Sequence, residues 1–172
     1  MPRATIFIAF ILLLALTPVA IGSIGESRTL KFYHTHTHKT LTVTYYEGGD
    51  YLPESLEELR VFLSDWRNGH QHPIDPGVMD ILWEIQQVAG NDNSYEVISA
   101  YRSPETNNNL RKNSNGVARK SQHLLGKAID VRLRGTDSSQ LRDIALDLKL
   151  GGVGFYQKSD FVHVDTGRVR RW

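Results

Sequence analysis

The sequence contains no cysteine among its 172 residues, and it has almost no excess of charge of either sign. Without cysteine, both disulfide bonds and thiolate metal ligands are excluded. Twenty lysines and arginines stand against 19 aspartates and glutamates, so the formal net charge is +1. Such a balance gives no electrostatic footprint for nucleic acid, and we expect no nucleic-acid partner. Any metal site must therefore be built from histidine and carboxylate side chains.

The length corresponds to one domain with a sizeable core, and the composition is that of an ordinary globular protein, with 40% hydrophobic and 23% charged residues. The N-terminus differs from the rest. An apolar run from residue 6 to 16 follows Arg3, and small residues around Ala20 and Gly22 follow Pro18. This pattern predicts an export signal over residues 1–22, followed by a single domain over residues 23–172.

An uncleaved anchor is the alternative for this N-terminal segment. Residues 4–25 carry no charged side chain, which is enough length to span a bilayer. Under either interpretation the domain lies outside the cytoplasm. Contact with the membrane is then expected only through an uncleaved N-terminus, if at all.

Alternating hydrophobicity predicts two strands around a turn between residues 30 and 46, and further strands at 95–100 and 128–133. Helical periodicity begins near Pro53, Pro76 and Ser138, and Ser103 is placed to cap a helix. The glycines at 151–154 predict a sharp break, after which two strands close the chain around a turn at residues 157–160. Because the helices are expected to precede most strands without βαβ alternation, the predicted class is α+β with a central, mostly antiparallel sheet and helices packed on it.

Two motifs carry the chemistry: Ser121-Gln-His123 leading to Asp130, and Asp160-Phe-Val-His163 near the C-terminus. Asp130 lies between Ile129 and Val131, where an unpaired carboxylate would be costly and a divalent cation would remove that cost. Two imidazoles and one carboxylate are the ligand set of an open, catalytic zinc site. We therefore predict that His123, Asp130 and His163 bind Zn²⁺.

A zinc hydrolase also needs a base and a donor for the developing oxyanion. Asp160, three residues before His163, is the candidate base, although it also suits a turn. Asp165 is the alternative base, or it orients a ligand histidine. Arg102, at the end of a strand, is the candidate oxyanion donor.

The remaining histidines receive a structural interpretation. His34, His36 and His38 surround a predicted hairpin turn, and strand alternation would place all three on one face. No other metal-ligand pattern accompanies them, so polar positions near a turn are the favoured explanation. His70 and His72 lie in a loop rich in glycine and proline.

The spacing Ser121-x-His123-x-x-Gly126-x-Ala128-x-Asp130, followed by His163, resembles the signature of the LAS metallopeptidases. That group includes D-alanyl-D-alanine carboxypeptidases and hedgehog-like domains. Further segments resemble the MepK (YcbK-like) murein endopeptidases over residues 28–172: Tyr101-Arg-Ser, Thr106-Asn-Asn-Asn-Leu110, Gly151-Gly-Val-Gly-Phe-Tyr156 and Phe161-Val-His-Val-Asp-Thr-Gly167.

The resemblance implies a hedgehog/DD-peptidase-like fold and a zinc site made by His123, Asp130 and His163. It also implies Asp160 as the base and Arg102 as the oxyanion donor. The expected protein is a periplasmic, monomeric zinc endopeptidase that cuts peptide cross-links between peptidoglycan stem peptides. A D-alanyl-D-alanine-type carboxypeptidase and a non-catalytic, zinc-containing wall-binding module are the alternatives.

Overall fold

The computed structural model describes residues 26–114 and 116–172, so the expected signal peptide or anchor at residues 1–22 lies outside the described part of the chain. The described residues form eight strands and four α-helices. The strands are β1 (Ser27–His34), β2 (Thr40–Glu47), β3 (Asp50–Tyr51), β4 (Tyr95–Ser99), β5 (Ala128–Leu133), β6 (Gly152–Tyr156), β7 (Phe161–Asp165) and β8 (Arg170–Arg171). The helices are α1 (Pro53–Phe62), α2 (Pro76–Ala89), α3 (Pro104–Asn113) and α4 (Ser138–Leu148).

All eight strands belong to one sheet with the order β3-β2-β1-β4-β5-β7-β6-β8. Only the β1–β4 and β6–β8 pairs are parallel. The predicted α+β class with a mostly antiparallel sheet is therefore confirmed. The predicted elements follow one another along the chain as expected, with β3 and β8 as additional short strands. The expectation that helices precede most strands without alternation is wrong, because β4, β5 and β6 alternate with α3 and α4.

The helix starts follow from local chemistry. Proline occupies the first turn of α1, α2 and α3, where its missing N–H costs nothing. The Asp75 side chain accepts a hydrogen bond from Gly77 N at the start of α2, and Ser103 accepts one from Thr106 N at the start of α3. Gly90 ends α2 in the left-handed conformation, as the sequence indicates. None of the helices in the described ranges is long and apolar enough to cross a membrane.

One face of the sheet packs against the helices, and the other carries the polar residues of the candidate site. Strand alternation sends Ile129 and Val131 of β5, and Val162 and Val164 of β7, into the core that packs against the helices. The residues between them, including Asp130, point to the opposite face. The functional site is therefore built on the face of the sheet that does not carry the main hydrophobic core. Together with these four residues, the core includes Leu30, Phe32, Val43, Tyr45, Leu59, Leu63, Val78, Met79, Leu82, Ile85, Tyr95, Val97, Leu133, Leu141 and Val153.

The predicted break at residues 151–154 is wrong in its position, because Gly152 and Gly154 lie inside β6. Steric crowding explains these glycines. A Cβ atom on Gly151 would meet the Asp165 carbonyl oxygen at 1.7 Å, and one on Gly152 would meet the Arg170 guanidinium at 2.2 Å. Glycine at these positions therefore allows other groups to approach the backbone closely.

Asp80 on α2 ties the N-terminal strands to the helical layer. Its carboxylate accepts hydrogen bonds from Tyr45 Oη at 3.0 Å, Tyr51 Oη at 2.5 Å and Arg28 Nη1 at 2.8 Å. The Tyr45 ring is fully buried, so its hydroxyl has little access to water as a substitute partner.

Replacing Asp80 by alanine should lower the free energy of unfolding by about 1–3 kcal/mol, because the Tyr45 hydroxyl is left without its acceptor. Asp92→Ala is the matched control, since the Asp92 side chain is 91% exposed and pairs only with Lys31. That control should change stability by less than about 1 kcal/mol. Urea unfolding of both variants measures the difference, and equal losses would contradict the role assigned to Asp80.

Candidate metal centre

Three ligand candidates converge from neighbouring elements. His123 lies in a single 3-10 turn, Gln122–Leu125, that precedes β5. Its backbone N–H donates a hydrogen bond to the Ser121 hydroxyl. Gly126 ends the turn with φ of 65°, and a Cβ there would meet the Pro73 carbonyl oxygen at 2.1 Å. Asp130 of β5 and His163 of β7 are direct partners across the antiparallel ladder. The sheet register and the glycine turn thus bring the three side chains together.

The ligand atoms form a compact triangle. His123 Nε2 lies 3.1 Å from His163 Nδ1, which lies 2.8 Å from Asp130 Oδ1, and His123 Nε2 lies 3.3 Å from that oxygen. All three residues are buried. Tetrahedral zinc with bonds of about 2.0–2.1 Å needs ligand atoms about 3.3 Å apart. The three ligand atoms would therefore fit a zinc ion after moving slightly apart. Within the part of the chain that the structure describes, His123, Asp130 and His163 form a group that could hold a metal ion.

Hydrogen bonds on the far side of each ring select the metal-binding nitrogen. His123 Nδ1 donates to the Ala100 carbonyl at 2.6 Å, which leaves Nε2 as the lone-pair nitrogen. His163 Nε2 lies 2.9 Å from Asp165 Oδ2, which leaves Nδ1 to face the metal position. Both ligand histidines thus have the outer partner that holds an imidazole in its binding orientation.

The electrostatics of the three groups favour a cation. Burial raises the pKa of Asp130, but the charges and hydrogen bonds of His123 and His163 outweigh it and hold that pKa far below its ordinary value. Burial lowers the pKa of His123, so its imidazole is neutral and can act as a ligand. Burial also lowers the pKa of His163, but hydrogen bonds with Asp130 and Asp165 outweigh it and leave the pKa raised. An ionised carboxylate thus lies beside one histidine whose neutral form is favoured and one whose charged form is favoured, and a metal cation could take the place of that positive charge.

Asp165 is enclosed by donors. Its side chain is fully buried and accepts hydrogen bonds from His163, from both Nη atoms of Arg170 at 2.9 and 2.6 Å, and from the backbone of Gly152 and Gly167. Burial raises its pKa, but these hydrogen bonds outweigh burial and hold the pKa well below its usual range. A carboxylate held in this way is suited to orienting His163 and poorly suited to taking a proton from water.

Arg102 follows β4 and lies beside the metal position. Its Nη2 is 3.8 Å from Asp130 Oδ2, and its Nη1 is 3.5 Å from Asn107 Oδ1. Asn107 in turn donates to the Ala118 carbonyl. Arg102 Nε is buried and has no hydrogen-bond partner within the described residues. Arg102 thus lines the cavity with a guanidinium whose hydrogen bonds are only partly satisfied.

Asp160 occupies a different position from the other predicted site residues. It ends a 3-10 turn, Gln157–Ser159, with φ of 51°, and directly precedes β7. Its side chain is 69% exposed and lies 3.4 Å from Arg132 Nε. The structure thus brings together His123, Asp130, His163, Arg102 and Asp165, whereas Asp160 lies outside the lining of the cavity.

A cavity of about 270 Å³ opens over the three ligand candidates. Its lining includes the aromatic rings of Tyr156, Phe161 and Trp172, whose part in the site was not predicted from the sequence. Strand alternation would have found Phe161, which lies two residues before His163 on β7. Arg102, Lys120 and Arg170 supply positive charge to the lining. The site therefore combines a candidate metal centre with a cavity, here called the groove, whose lining is partly aromatic and partly cationic.

The other histidines take up separate positions. His34 ends β1 and is buried, and burial lowers its pKa to about 4. His36 stacks on Trp66 with ring centroids 3.9 Å apart, and His38 Nδ1 lies 2.8 Å from Tyr33 Oη. His72 stacks on Tyr101. Because β1 ends at His34, the expected placement of all three N-terminal histidines on one strand face is wrong.

A buried two-histidine, one-carboxylate centre beside an arginine, on the open face of an α+β sheet, is typical of a metallopeptidase. Residues 23–172 match the family described as "Peptidoglycan L,D-endopeptidase MepK", and the chain belongs to this peptidase family. The resemblance to this group of murein endopeptidases is therefore confirmed, and the chain is a peptidase of the hydrolase class.

Similar proteins support the same assignment. The chain is 39% identical to "Peptidoglycan L,D-endopeptidase MepK" of Escherichia coli (strain K12), over 93% of this chain and 94% of that protein. The protein of the same name from Shigella flexneri gives the same values. The "Probable peptidoglycan L,D-endopeptidase MepK" of Haemophilus influenzae is 37% identical, over 90% of this chain and 83% of that protein.

Replacing Asp165 by asparagine should weaken zinc binding by about 10–100-fold, because His163 loses the charged partner that orients its ring. His123→Ala, Asp130→Ala and His163→Ala serve as reference variants that lose the metal. Competition with a chromophoric zinc chelator measures the affinities. Unchanged affinity together with a large loss of turnover in Asp165→Asn would instead assign Asp165 a role in proton transfer.

Proposed function

We propose that this protein is a zinc-dependent peptidoglycan L,D-endopeptidase that hydrolyses cross-links between stem peptides. The observation that carries the proposal is the triangle of His123 Nε2, Asp130 Oδ1 and His163 Nδ1, with sides of 2.8 to 3.3 Å, in which both imidazoles are held by outer hydrogen bonds. The named activity of the relatives, which align over nearly the whole chain, supports the L,D bond as the target.

The donor set supports zinc as the metal. Two imidazole nitrogens and one carboxylate oxygen suit zinc, and three protein ligands leave a fourth position for water or substrate. Zinc bound there would lower the pKa of a water molecule and polarise the scissile carbonyl. The protein supplies the burial, the fixed tautomers and the surrounding charges that this chemistry needs.

Arg102 is proposed to stabilise the developing oxyanion. Its guanidinium is largely buried beside Asp130, and Asn107 holds one end of it. Arg102 also lines the cavity, so its guanidinium can donate to an oxygen whose negative charge increases as the carbonyl is attacked. Such donors are effective because they are oriented before the reaction begins.

Asp160 is proposed as the general base, which accepts a proton from the attacking water and passes it to the leaving amine. The position of Asp160, three residues before His163, supports this role. The saturated hydrogen bonds of Asp165 favour Asp160 over the alternative base. The Asp160 side chain is exposed and pairs with Arg132, so the proposed role requires its carboxylate to turn towards the groove when substrate binds.

The cellular setting follows from the substrate. We propose that residues 1–22 direct export, as a cleaved signal peptide or as an anchor, and that the domain over residues 23–172 acts in the periplasm as a monomer. The charge pattern of the N-terminus, with no charged residue between Arg3 and Glu26, supports this assignment. Peptidoglycan lies in that compartment, so the site and the substrate would meet there.

Digestion of purified muropeptides of known cross-link type tests the proposed activity directly. The zinc-loaded protein should cleave cross-linked dimers that contain an L,D bond into monomers, and a chelator should abolish cleavage until zinc is restored. Mass spectrometry of the products identifies the bond that was cut. Release of only a terminal D-alanine would indicate a carboxypeptidase, and binding without cleavage would indicate a wall-binding module.

Replacing Asp160 by alanine should retain the metal and lower turnover by about 10²–10⁴-fold, the effect expected when a general base is removed. Asp143→Ala on α4 is the control, because this aspartate is also exposed and lies outside the cavity. Metal content and steady-state rates on the cross-linked dimer measure the outcome. Turnover equal to that of the control would remove Asp160 from the mechanism.

A further inference from the structure

We propose that Tyr156, Phe161 and Trp172, here called the aromatic wall, bind the alkyl part of the amino acid next to the scissile bond. This inference rests on the proposed function and specifies how the same site recognises its substrate. The three rings line one side of the cavity over the metal centre. Trp172 lies next to both Tyr156 and His163, because its Nε1 donates to Tyr156 Oη and its ring lies beside that of His163.

Trp172 is held beside the site by backbone hydrogen bonds. Its carbonyl accepts from Phe155 N at 3.1 Å, and its N–H donates to the Val153 carbonyl at 3.3 Å. The residue therefore extends the pairing of β8 with β6. Its ring centroid lies 5.1 Å from that of the ligand candidate His163, although half of the residue, 51%, remains exposed. A large indole next to the metal centre is thus open to the groove.

The strand beneath the indole is shaped to receive it. A Cβ atom on Gly154 would lie 2.6 Å from the Trp172 ring, so glycine at this position of β6 leaves the space that the ring occupies. The Arg170 guanidinium lies over the same ring, 4.8 Å from its centroid, and Trp172 Nε1 donates to Tyr156 Oη at 3.1 Å. The ring is therefore oriented before any ligand arrives, which reduces the entropy lost on binding.

The other two rings continue this surface. Tyr156 and Phe161 stack with centroids 4.5 Å apart and an interplanar angle of 15°. They come from the paired ends of β6 and β7, so the sheet itself fixes their spacing. Together with Trp172, they give an apolar surface along the same side as His163.

The charged residues of the same lining indicate which kind of ligand would bind against the aromatic wall. Arg102 and Lys120 supply positive charge to the same cavity. A stem peptide carries carboxylates together with methyl or longer alkyl side chains. Carboxylates are attracted to the cationic groups, and alkyl groups are stabilised against aromatic faces. Using both contacts at once would set the direction in which the peptide lies across the metal centre.

The experiment compares Trp172→Ala, Trp172→Phe and Val169→Ala in the zinc-loaded protein on an L,D-cross-linked muropeptide dimer. Trp172→Ala should raise KM by about tenfold with a smaller change in kcat, because apolar contact area on the substrate is lost. Trp172→Phe keeps a flat ring and should raise KM by only about two- to threefold. Val169 is 61% exposed and does not line this cavity, so Val169→Ala should behave as the unmodified protein.

Zinc content, thermal unfolding and calorimetric binding of a linear stem peptide to the metal-free protein accompany the kinetics. Weaker peptide binding by Trp172→Ala, with zinc content retained, would support the aromatic wall. An unchanged KM and unchanged peptide affinity in both Trp172 variants would overturn it. If Trp172→Ala unfolds, the phenylalanine variant decides the question. An unmodified protein that cleaves no cross-link would refute the proposed function, which is a different result from normal cleavage by Trp172→Ala.

Discussion

The buried Asp165 carboxylate is the constraint on which the site depends. It holds His163 by one oxygen and Arg170 by both, and it accepts the backbone N–H groups of Gly152 and Gly167. A fully buried carboxylate is tolerated only when its lone pairs are satisfied in this way. The same hydrogen bonds that stabilise the charge also leave His163 Nδ1 to face the candidate metal position.

This carboxylate also connects the metal centre to the end of the chain. Arg170 is held against Asp165, and it belongs to β8, which pairs with β6. From there the chain leads directly to Trp172 at the edge of the cavity. The orientation of the candidate ligand His163 and the position of the aromatic wall therefore depend on one ion pair. Loss of that ion pair is expected to affect metal binding and substrate contact together.

The division of the sheet into two faces explains how stability and chemistry coexist. Val131 and Val162 bury their side chains among the helices, while the neighbouring Asp130 and His163 face the groove. Strand pairing stabilised by the core thus fixes the register of the ligands. Substitutions on the groove face should affect function with little loss of core packing, because the two sets of side chains do not share space.

Sequence reasoning found the three residues that the structure brings together as a candidate metal site, because their signals are local. Asp130 stands as a charge within an apolar strand, and such a carboxylate needs a cation or a partner. The direction of the Asp160 side chain could not be predicted in this way, since it depends on Arg132 of β5, which is distant in sequence. Trp172 was missed for a similar reason. The glycines of β6 indicated a break, whereas their small size serves the close approach of Arg170 and Trp172, which only the folded chain reveals.

Arg102 is buried beside the candidate metal position with incomplete hydrogen bonding. Its Nε–H is buried without a partner among the described residues, and an unsatisfied buried donor costs about 1–3 kcal/mol. Burial also lowers the pKa of Arg102, although the nearby charge of Asp130 acts in the opposite direction. Arg102 also lines the cavity, so in the proposed reaction its guanidinium would face an oxygen that gains negative charge. Under the proposed mechanism, a buried guanidinium with incomplete pairing would attract the developing oxyanion more strongly than the neutral carbonyl, which is the difference in binding that lowers a reaction barrier.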